Sequence, residues 1–140
     1  MKDKYQILSA SFENGVSTIT IKGYKGKKYT GTSKCHPDEK FPNEFFGGEL
    51  AELRAMRKSL MEEKHEYDAK CDALRSVFSD IAGKNPDIMH LSDDTRKISS
   101  HLRRNAEIAV KLGSQIELID QRMKDMVAAR ARYMKNKYSD

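Results

Sequence analysis

The N-terminal fold is decided by a ten-residue stretch, residues 12–21, which reads FENGVSTITI. Asn14 and Gly15 both tolerate positive φ, so together they are a strong signal for a tight turn between two antiparallel strands. The β-branched run after the turn, residues 17–21, predicts the second strand. The first strand precedes the turn, and its two-residue period places four side chains on one side: Gln6, Leu8, Ala10 and Phe12.

A third strand is predicted over residues 28–33, after a second turn. The result is an antiparallel meander of three to four strands within residues 1–34. Such a small sheet cannot cover its apolar face alone, so we expect helices to pack on it. Residues 35–43 form a linker, because Pro37 and Pro42 break regular structure.

Two long helices are predicted after the linker. Apolar residues recur at alternating three- and four-residue spacings over residues 44–82, although Arg57 and Lys64 interrupt this seam. A loop over residues 83–91 precedes the second helix, residues 92–137, whose seam is more regular. That seam consists of Ile98, Leu102, Asn105, Ala109, Leu112, Ile116, Ile119, Met123, Met126, Arg130, Tyr133 and Lys137. We expect one α+β domain, an N-terminal antiparallel β-meander followed by a long antiparallel helical hairpin.

The length of the second helix predicts self-association. At about 1.5 Å per residue, about 45 residues would span nearly 70 Å. A compact chain of 140 residues has a radius of gyration of only about 14 Å. Two such helices with a small sheet at one end leave apolar surface that further copies would bury. We therefore expect a homo-oligomer, a dimer or larger.

The composition is polar, since 34% of residues are charged and 38% are hydrophobic. The net charge of +5 is uneven, at +5 over residues 1–34, −4 over residues 35–92 and +4 over residues 93–140. Either the basic and acidic segments pack against each other, or the basic segments bind an anionic ligand. No apolar run of about 18 residues exists, so we expect no membrane span. The first residues lack the apolar stretch of a signal peptide, which predicts a cytoplasmic location.

No enzyme signature is present: the sequence lacks a dinucleotide-binding glycine motif, a Walker loop, a nucleophile elbow and a zinc-protease motif. The basic stretch over residues 23–28 does not open a helix, which favours a hairpin turn over a phosphate cradle. Cys35 and Cys71 are expected to stay reduced in a cytosol. The four histidines lack the spacing of zinc ligands. We therefore expect a protein that is not an enzyme and that needs neither metal nor cofactor.

Some polar and aromatic residues allow two interpretations. Asn105, within the apolar seam, either sets the register of the helices or contacts the edge of a ligand beside Arg103 and Arg104. Phe78 is either a core residue or a stacking surface for a base. His36 is either a structural hydrogen-bonding group or a ligand contact.

A motif at the junction of sheet and helix resembles a known family. It contains Gly31, Lys34, Cys35, His36, Pro37, Asp38, Glu39, Phe41, Phe45, Gly47, Leu50, Ala51, Arg54 and Ala55. This run, after a small β-meander and before two long helices, resembles small phage proteins that include the Thoeris anti-defence sponges. The resemblance implies capture of cyclic ADP-ribose isomers, the signals made by bacterial TIR-domain enzymes, without catalysis. It also implies a second site for cyclic oligonucleotides in some members, and oligomers with pockets between protomers.

The resemblance further implies a pocket with an aromatic stack, an amide, and arginines on the diphosphate. By residue type these roles fall to Phe78, Asn105, Arg103 and Arg104, with Asn85 as a rival amide. For a second site the candidates are residues in or near the motif: Lys28, Lys34, His36 and Arg54. Arginine suits phosphate because its guanidinium binds two oxygens at once.

The resulting functional expectation is a phage anti-defence sponge. Such a protein would bind and sequester a cyclic nucleotide immune signal in the cytoplasm of an infected bacterium, without degrading it. One alternative is a nucleic-acid-binding phage protein, which the basic sheet favours. Against it, only Tyr24 and Tyr29 interleave with the basic residues, too few for a stacking platform. A second alternative is a helical inhibitor that binds another protein and no nucleotide.

Overall fold

The structure is a computed structural model that describes residues 5–34, 44–84 and 93–138. It contains strands β1 (Gln6–Glu13), β2 (Val16–Lys22) and β3 (Lys28–Lys34), with a short 3-10 turn (Tyr24–Gly26) between the last two. Helices α1 (Glu44–Lys84) and α2 (Asp93–Tyr138) follow. The predicted α+β arrangement is therefore confirmed, with three strands. The linker over residues 35–43 and most of the loop over residues 83–91 lie outside the described residues.

The predicted helix boundaries lie within two residues of the observed ones. The loop was expected to begin at Gly83, whereas α1 continues through Gly83 to Lys84. A single glycine costs a helix only about 1 kcal/mol, which one residue near the end of a 41-residue helix does not overcome.

The three strands form one antiparallel sheet in the order β1-β2-β3. Asn14 and Gly15 have φ values of 52° and 76°, as the predicted tight turn requires. Glu13 and Val16 face each other across this turn, and Ala10 pairs with Ile19.

The predicted face of β1 needs correction because the strand contains a β-bulge. The register shifts between Ile7 and Ser9, so Ile7 pairs with Ile21 and Gln6 with Lys22. Paired residues share a face of the sheet. Ile7 therefore lies on the same face as Ala10 and Phe12, while Gln6 lies on the other. The extra residue of a bulge interrupts the two-residue period from which the face was predicted.

A line of small residues on α1 packs against the sheet. It repeats every fourth residue and consists of Gly47, Ala51, Ala55 and Ser59. Ala51 and Ala55 are both 0% exposed and form a core cluster with Ile19, Ile21 and Tyr29. The line ends at Ser59, whose Oγ accepts a hydrogen bond of 3.0 Å from the Tyr24 backbone N–H. Gly47, Ala51 and Ala55 of this line also belong to the motif at the junction of sheet and helix.

The chain divides into two compact units. The first contains Met1–Leu60 and Gln115–Asp140, and the second contains Met61–Ser114. In the first unit α1 and α2 run antiparallel, as three pairs of neighbouring residues show. Residues later in α1 lie beside residues earlier in α2. These pairs are Phe46 with Arg130, Glu49 with Arg122, and Arg57 with Asp120.

In the second unit both helices bury seam residues, which are Cys71 on α1 and Ala109 and Leu112 on α2. Lys64, which interrupts the α1 seam, lies over Gly113 with its Cε 3.3 Å from where a β-carbon would stand. The Nζ of Lys64 donates a hydrogen bond of 2.7 Å to Oδ2 of Asp68. Met61, expected to widen the α1 seam, is instead 42% exposed. At every position whose burial is described, the predicted α2 seam from Ile98 to Arg130 is buried or half-buried.

Candidate ligand-binding groove

Of two cavities found among the described residues, a groove within the first unit is our candidate binding site. It has a volume of about 570 Å³ and lies between α1 and α2. We call it the α1–α2 groove, and it is lined by Leu50, Arg54, Asp120, Met123, Lys124, Val127, Ala128 and Ala131. This volume falls in the range of about 300–1,000 Å³ that is typical of small-molecule sites.

The charges along the groove leave a positive balance. Asp120 is matched by Arg57, whose Nε and Nη2 donate to its two carboxylate oxygens at 2.6 and 3.4 Å. Arg54 and Lys124 are the other charged lining residues, and both are exposed. Their positive charges favour an anionic ligand.

Arg54 is held in place by the sheet. Its Nη1 donates a hydrogen bond of 2.6 Å to the backbone carbonyl of Thr32 on β3. A guanidinium group has five N–H donors, so this bond leaves others for a bidentate contact with phosphate. Arg54 is therefore a positioned cation at the groove.

The rest of the lining is apolar. Leu50 is buried and Met123 half-buried, whereas Val127 is 50% exposed. Ala128 and Ala131 add small exposed side chains. An apolar wall beside two cations matches a ligand that combines a ring with a phosphate.

The predicted ligand residues of the helices all lie outside the α1–α2 groove. Phe78 on α1 and Asn105 on α2 are half-buried, and Arg103 and Arg104 on α2 are exposed. All four belong to the second unit. Among the described residues no hydrogen bond, ion pair or ring contact joins them to one another. They line neither the α1–α2 groove nor the other cavity described below. Asn85 lies outside the described residues.

The predicted basic residues are also separated. Lys28 begins β3 and Lys34 ends it, which places them roughly 20 Å apart. Both are exposed, and neither lines the α1–α2 groove. His36 and Cys35 fall outside the described residues. Of the predicted set, Arg54 is the residue that lines this groove.

Sequence reasoning missed Lys124 and Asp120. Both lie between seam positions of α2, where charged residues are ordinary. The available signal was an apolar line that leaves the seam at Met123 and continues through Val127 and Ala131. Its four-residue spacing places these side chains on one face of the helix.

A second cavity, of about 400 Å³, lies between the sheet and the start of α1. We call it the β1 cavity, and it is lined by Ala10, Ser11, Phe12, Ser17, Ile19, Gly48, Glu49 and Glu52. Ser17 is 2% exposed, and its hydroxyl has no hydrogen-bond partner among the described residues. The carboxylates of Glu49 and Glu52 disfavour an anion here.

The described residues contain no cluster of three or more His, Cys, Asp or Glu side chains that could hold a metal ion. No described helix is long and apolar enough to cross a membrane. Tyr29 is buried in the core and Tyr24 is half-buried against it, so neither offers an open stacking face on the sheet.

Comparison with known proteins identifies no relative. No family model matches the sequence, and no curated protein or solved structure is significantly similar to it.

Proposed function

We propose that this protein is a sponge that captures a cyclic nucleotide signal and holds it unchanged. The observation that supports this proposal is the α1–α2 groove, which combines a volume of about 570 Å³ with Arg54, Lys124 and an apolar wall. The motif resemblance supports a cyclic ADP-ribose isomer as the ligand. The setting we propose is the cytoplasm of a bacterium infected by a phage, where sequestering the signal would block an immune response.

In this proposal the phosphates of the ligand contact Arg54 and Lys124. A base or ribose packs on the apolar wall formed by Leu50, Met123 and Val127. Binding without turnover needs affinity alone, which positioned cations and apolar contact supply.

We further propose that the protein assembles as a homo-oligomer with pockets between protomers. Phe78, Asn105, Arg103 and Arg104 line neither of the two cavities described within one chain. Residues from a second copy would complete a site around them.

The first test is calorimetry of the purified protein with a cyclic ADP-ribose isomer, followed by mass analysis of the recovered ligand. We expect saturable binding and an intact ligand. Absence of binding would remove the proposed function, and a hydrolysed ligand would indicate an enzyme.

The groove is tested with the double variant Arg54→Glu, Lys124→Glu. Two charge reversals at the phosphate contacts should weaken binding at least about 100-fold, since each charge-assisted hydrogen bond contributes about 1.5–3 kcal/mol. The matched control is Arg75→Glu, Lys111→Glu, which makes the same change at exposed positions of the second unit. Equal affinity of both variants would place the ligand elsewhere.

A pocket between protomers is tested with Arg103→Glu, Arg104→Glu. Loss of binding with the oligomer intact would move the site to the second unit. Loss of the oligomer would assign these arginines to an interface. Unchanged binding and assembly would exclude them from both roles.

The nucleic-acid alternative has one supporting observation. Lys22 and Lys28 pair directly across β2 and β3, and exposed Lys25 and Lys27 lie in the turn between them. Like charges in such a pair are unfavourable without an anion nearby. Tyr29 belongs to the core cluster and Tyr24 packs against it, so the turn supports phosphate contacts alone.

A further inference from the structure

The two edge strands of the sheet differ in how well they are protected from pairing with another strand. On the β3 edge, the carbonyl oxygens of Thr30 and Thr32 accept hydrogen bonds from Lys58 Nζ and Arg54 Nη1, both at 2.6 Å. Charged side chains over an edge prevent another strand from pairing there. The β3 edge is therefore closed.

Among the described residues, none pairs with the outer edge of β1. The two-residue turn makes Glu13 and Val16 a hydrogen-bonded pair, and such pairs alternate along an antiparallel ladder. The backbone groups of Ser11 consequently face β2, while those of Ala10 and Phe12 face away from it. Within the part of the chain that the structure describes, no hydrogen bond to these outward groups is found.

The same strand exposes apolar side chains. Ile7 is 49% exposed and Leu8 is 41% exposed, and every residue of β1 except half-buried Phe12 is exposed. A long strand with an open edge and exposed apolar residues is a template for pairing with another strand.

The sequence of β1 is complementary to itself. Residues 8–12 read Leu-Ser-Ala-Ser-Phe, which is apolar, Ser, Ala, Ser, apolar in either direction. Antiparallel pairing about Ala10 would place Ala10 opposite its own copy, Ser9 opposite Ser11, and Leu8 opposite Phe12. In this register the two copies of Ala10 form a hydrogen-bonded pair, and the backbone groups of Ala10 point outward. The register shift between Ile7 and Ser9 interrupts regular pairing at Leu8, so the alignment rests on Ala10. Backbone direction and side-chain type therefore select the same alignment.

We propose that β1 pairs antiparallel with β1 of a second copy, about a two-fold axis at Ala10, to form one six-stranded sheet. This inference deepens the proposed self-association by naming its surface, and it does not depend on ligand binding. Pairing would extend the floor of the β1 cavity, because Ala10 and Phe12 line that cavity in each copy. The completed cavity would thus contain residues of both chains.

The first test is the molar mass in solution, by light scattering without ligand, of the wild type and Ala10→Pro. Proline removes the Ala10 N–H, which faces outward, so no hydrogen bond within the chain is lost. We expect the wild type to be a multiple of the 16.0 kDa chain and Ala10→Pro to dissociate at least about ten times more readily. The matched control is Thr30→Pro, which removes an outward N–H on the closed edge and should keep the wild-type mass.

The second test is disulfide formation by Ala10→Cys in a Cys35→Ser background, with Cys71 left buried. Directly opposite hydrogen-bonded residues have Cα atoms about 5.5 Å apart, which a disulfide spans. Ser11→Cys is the control, because its two copies would lie about 8 Å apart. We expect a covalent dimer from Ala10→Cys alone.

A monomeric wild type would overturn the proposal, and so would an oligomer whose mass survives Ala10→Pro. If Ala10→Pro fails to fold by circular dichroism, the cross-link decides: its absence rejects pairing at β1. Because no ligand is present in either test, failure of the sponge function leaves these outcomes unaffected.

Discussion

Gly31 is where β3 and α1 approach most closely. A β-carbon at this position would fall on the carbonyl oxygen of Ala51 and lie 2.6 Å from the backbone nitrogen of Ala55. Both obstacles are backbone atoms of a helix, which cannot move aside as a flexible side chain can. The requirement for glycine here is therefore steric and comes from packing.

We predict that Gly31→Ala destabilises the protein by about 3 kcal/mol, the upper end of overpacking costs. Urea unfolding followed by circular dichroism, at a fixed protein concentration, measures this change. The control is Gly48→Ala, where nothing lies within 4 Å of the added β-carbon. It should stabilise by up to about 1 kcal/mol through helix propensity. Equal stability of Gly31→Ala and wild type would contradict the close packing of β3 on α1.

At the scale of the element, α1 carries two different faces. Its apolar seam includes buried Leu50, Leu53 and Cys71. The line of small residues contacts the sheet instead. Because these side chains are short, the backbones of α1 and of the strands lie close together. The two faces explain how one helix contacts both α2 and the sheet.

A large side chain on the small face should separate helix and sheet. We predict that Ala55→Leu costs about 1–3 kcal/mol, because Ala55 is 0% exposed in the core cluster. Ala69→Leu is the control, since Ala69 is exposed on the same helix. It should change the free energy of unfolding by less than about 0.5 kcal/mol. A tolerated Ala55→Leu would mean that the sheet does not pack on this face.

At the scale of the whole molecule, charge separates along the chain. Residues 1–34 carry 7 basic and 2 acidic side chains, whereas residues 35–92 carry 8 and 12. Within the acidic segment, Arg54 and Lys58 bond to the strand carbonyls of Thr32 and Thr30 rather than to carboxylates. The lysines around the β2–β3 turn remain exposed.

We predict only weak, salt-dependent binding to double-stranded DNA. Lysine contacts to phosphate, without stacking, give dissociation constants of about 10⁻⁴–10⁻⁶ M near physiological salt. Fluorescence anisotropy over a salt series measures this, and Lys22→Gln, Lys28→Gln should flatten the salt dependence. Submicromolar or sequence-specific binding would favour the nucleic-acid alternative over the sponge.

Interactions between residues close in sequence determine the strands and helices of this protein. The turn at Asn14 and Gly15 depends on two neighbouring residues, and the helical seams depend on spacings of three and four, so both can be recognised in one sequence. The face of β1 was predicted wrongly because a bulge near Leu8 shifts the phase. The two-residue period of a strand sequence does not show where such an extra residue is inserted.

Contacts between distant residues could not be recognised in this way. Arg54 and Lys124 line one groove although 70 positions separate them, and Gly31 requires its small size because Ala51 lies above it. Phe78 and Arg103 had suitable chemistry for a ligand, yet residue type carries no information about neighbours in space. Sequence period and turn chemistry report interactions within a few residues. The groove and the open β1 edge depend on how helices and strands pack, which only the folded chain establishes.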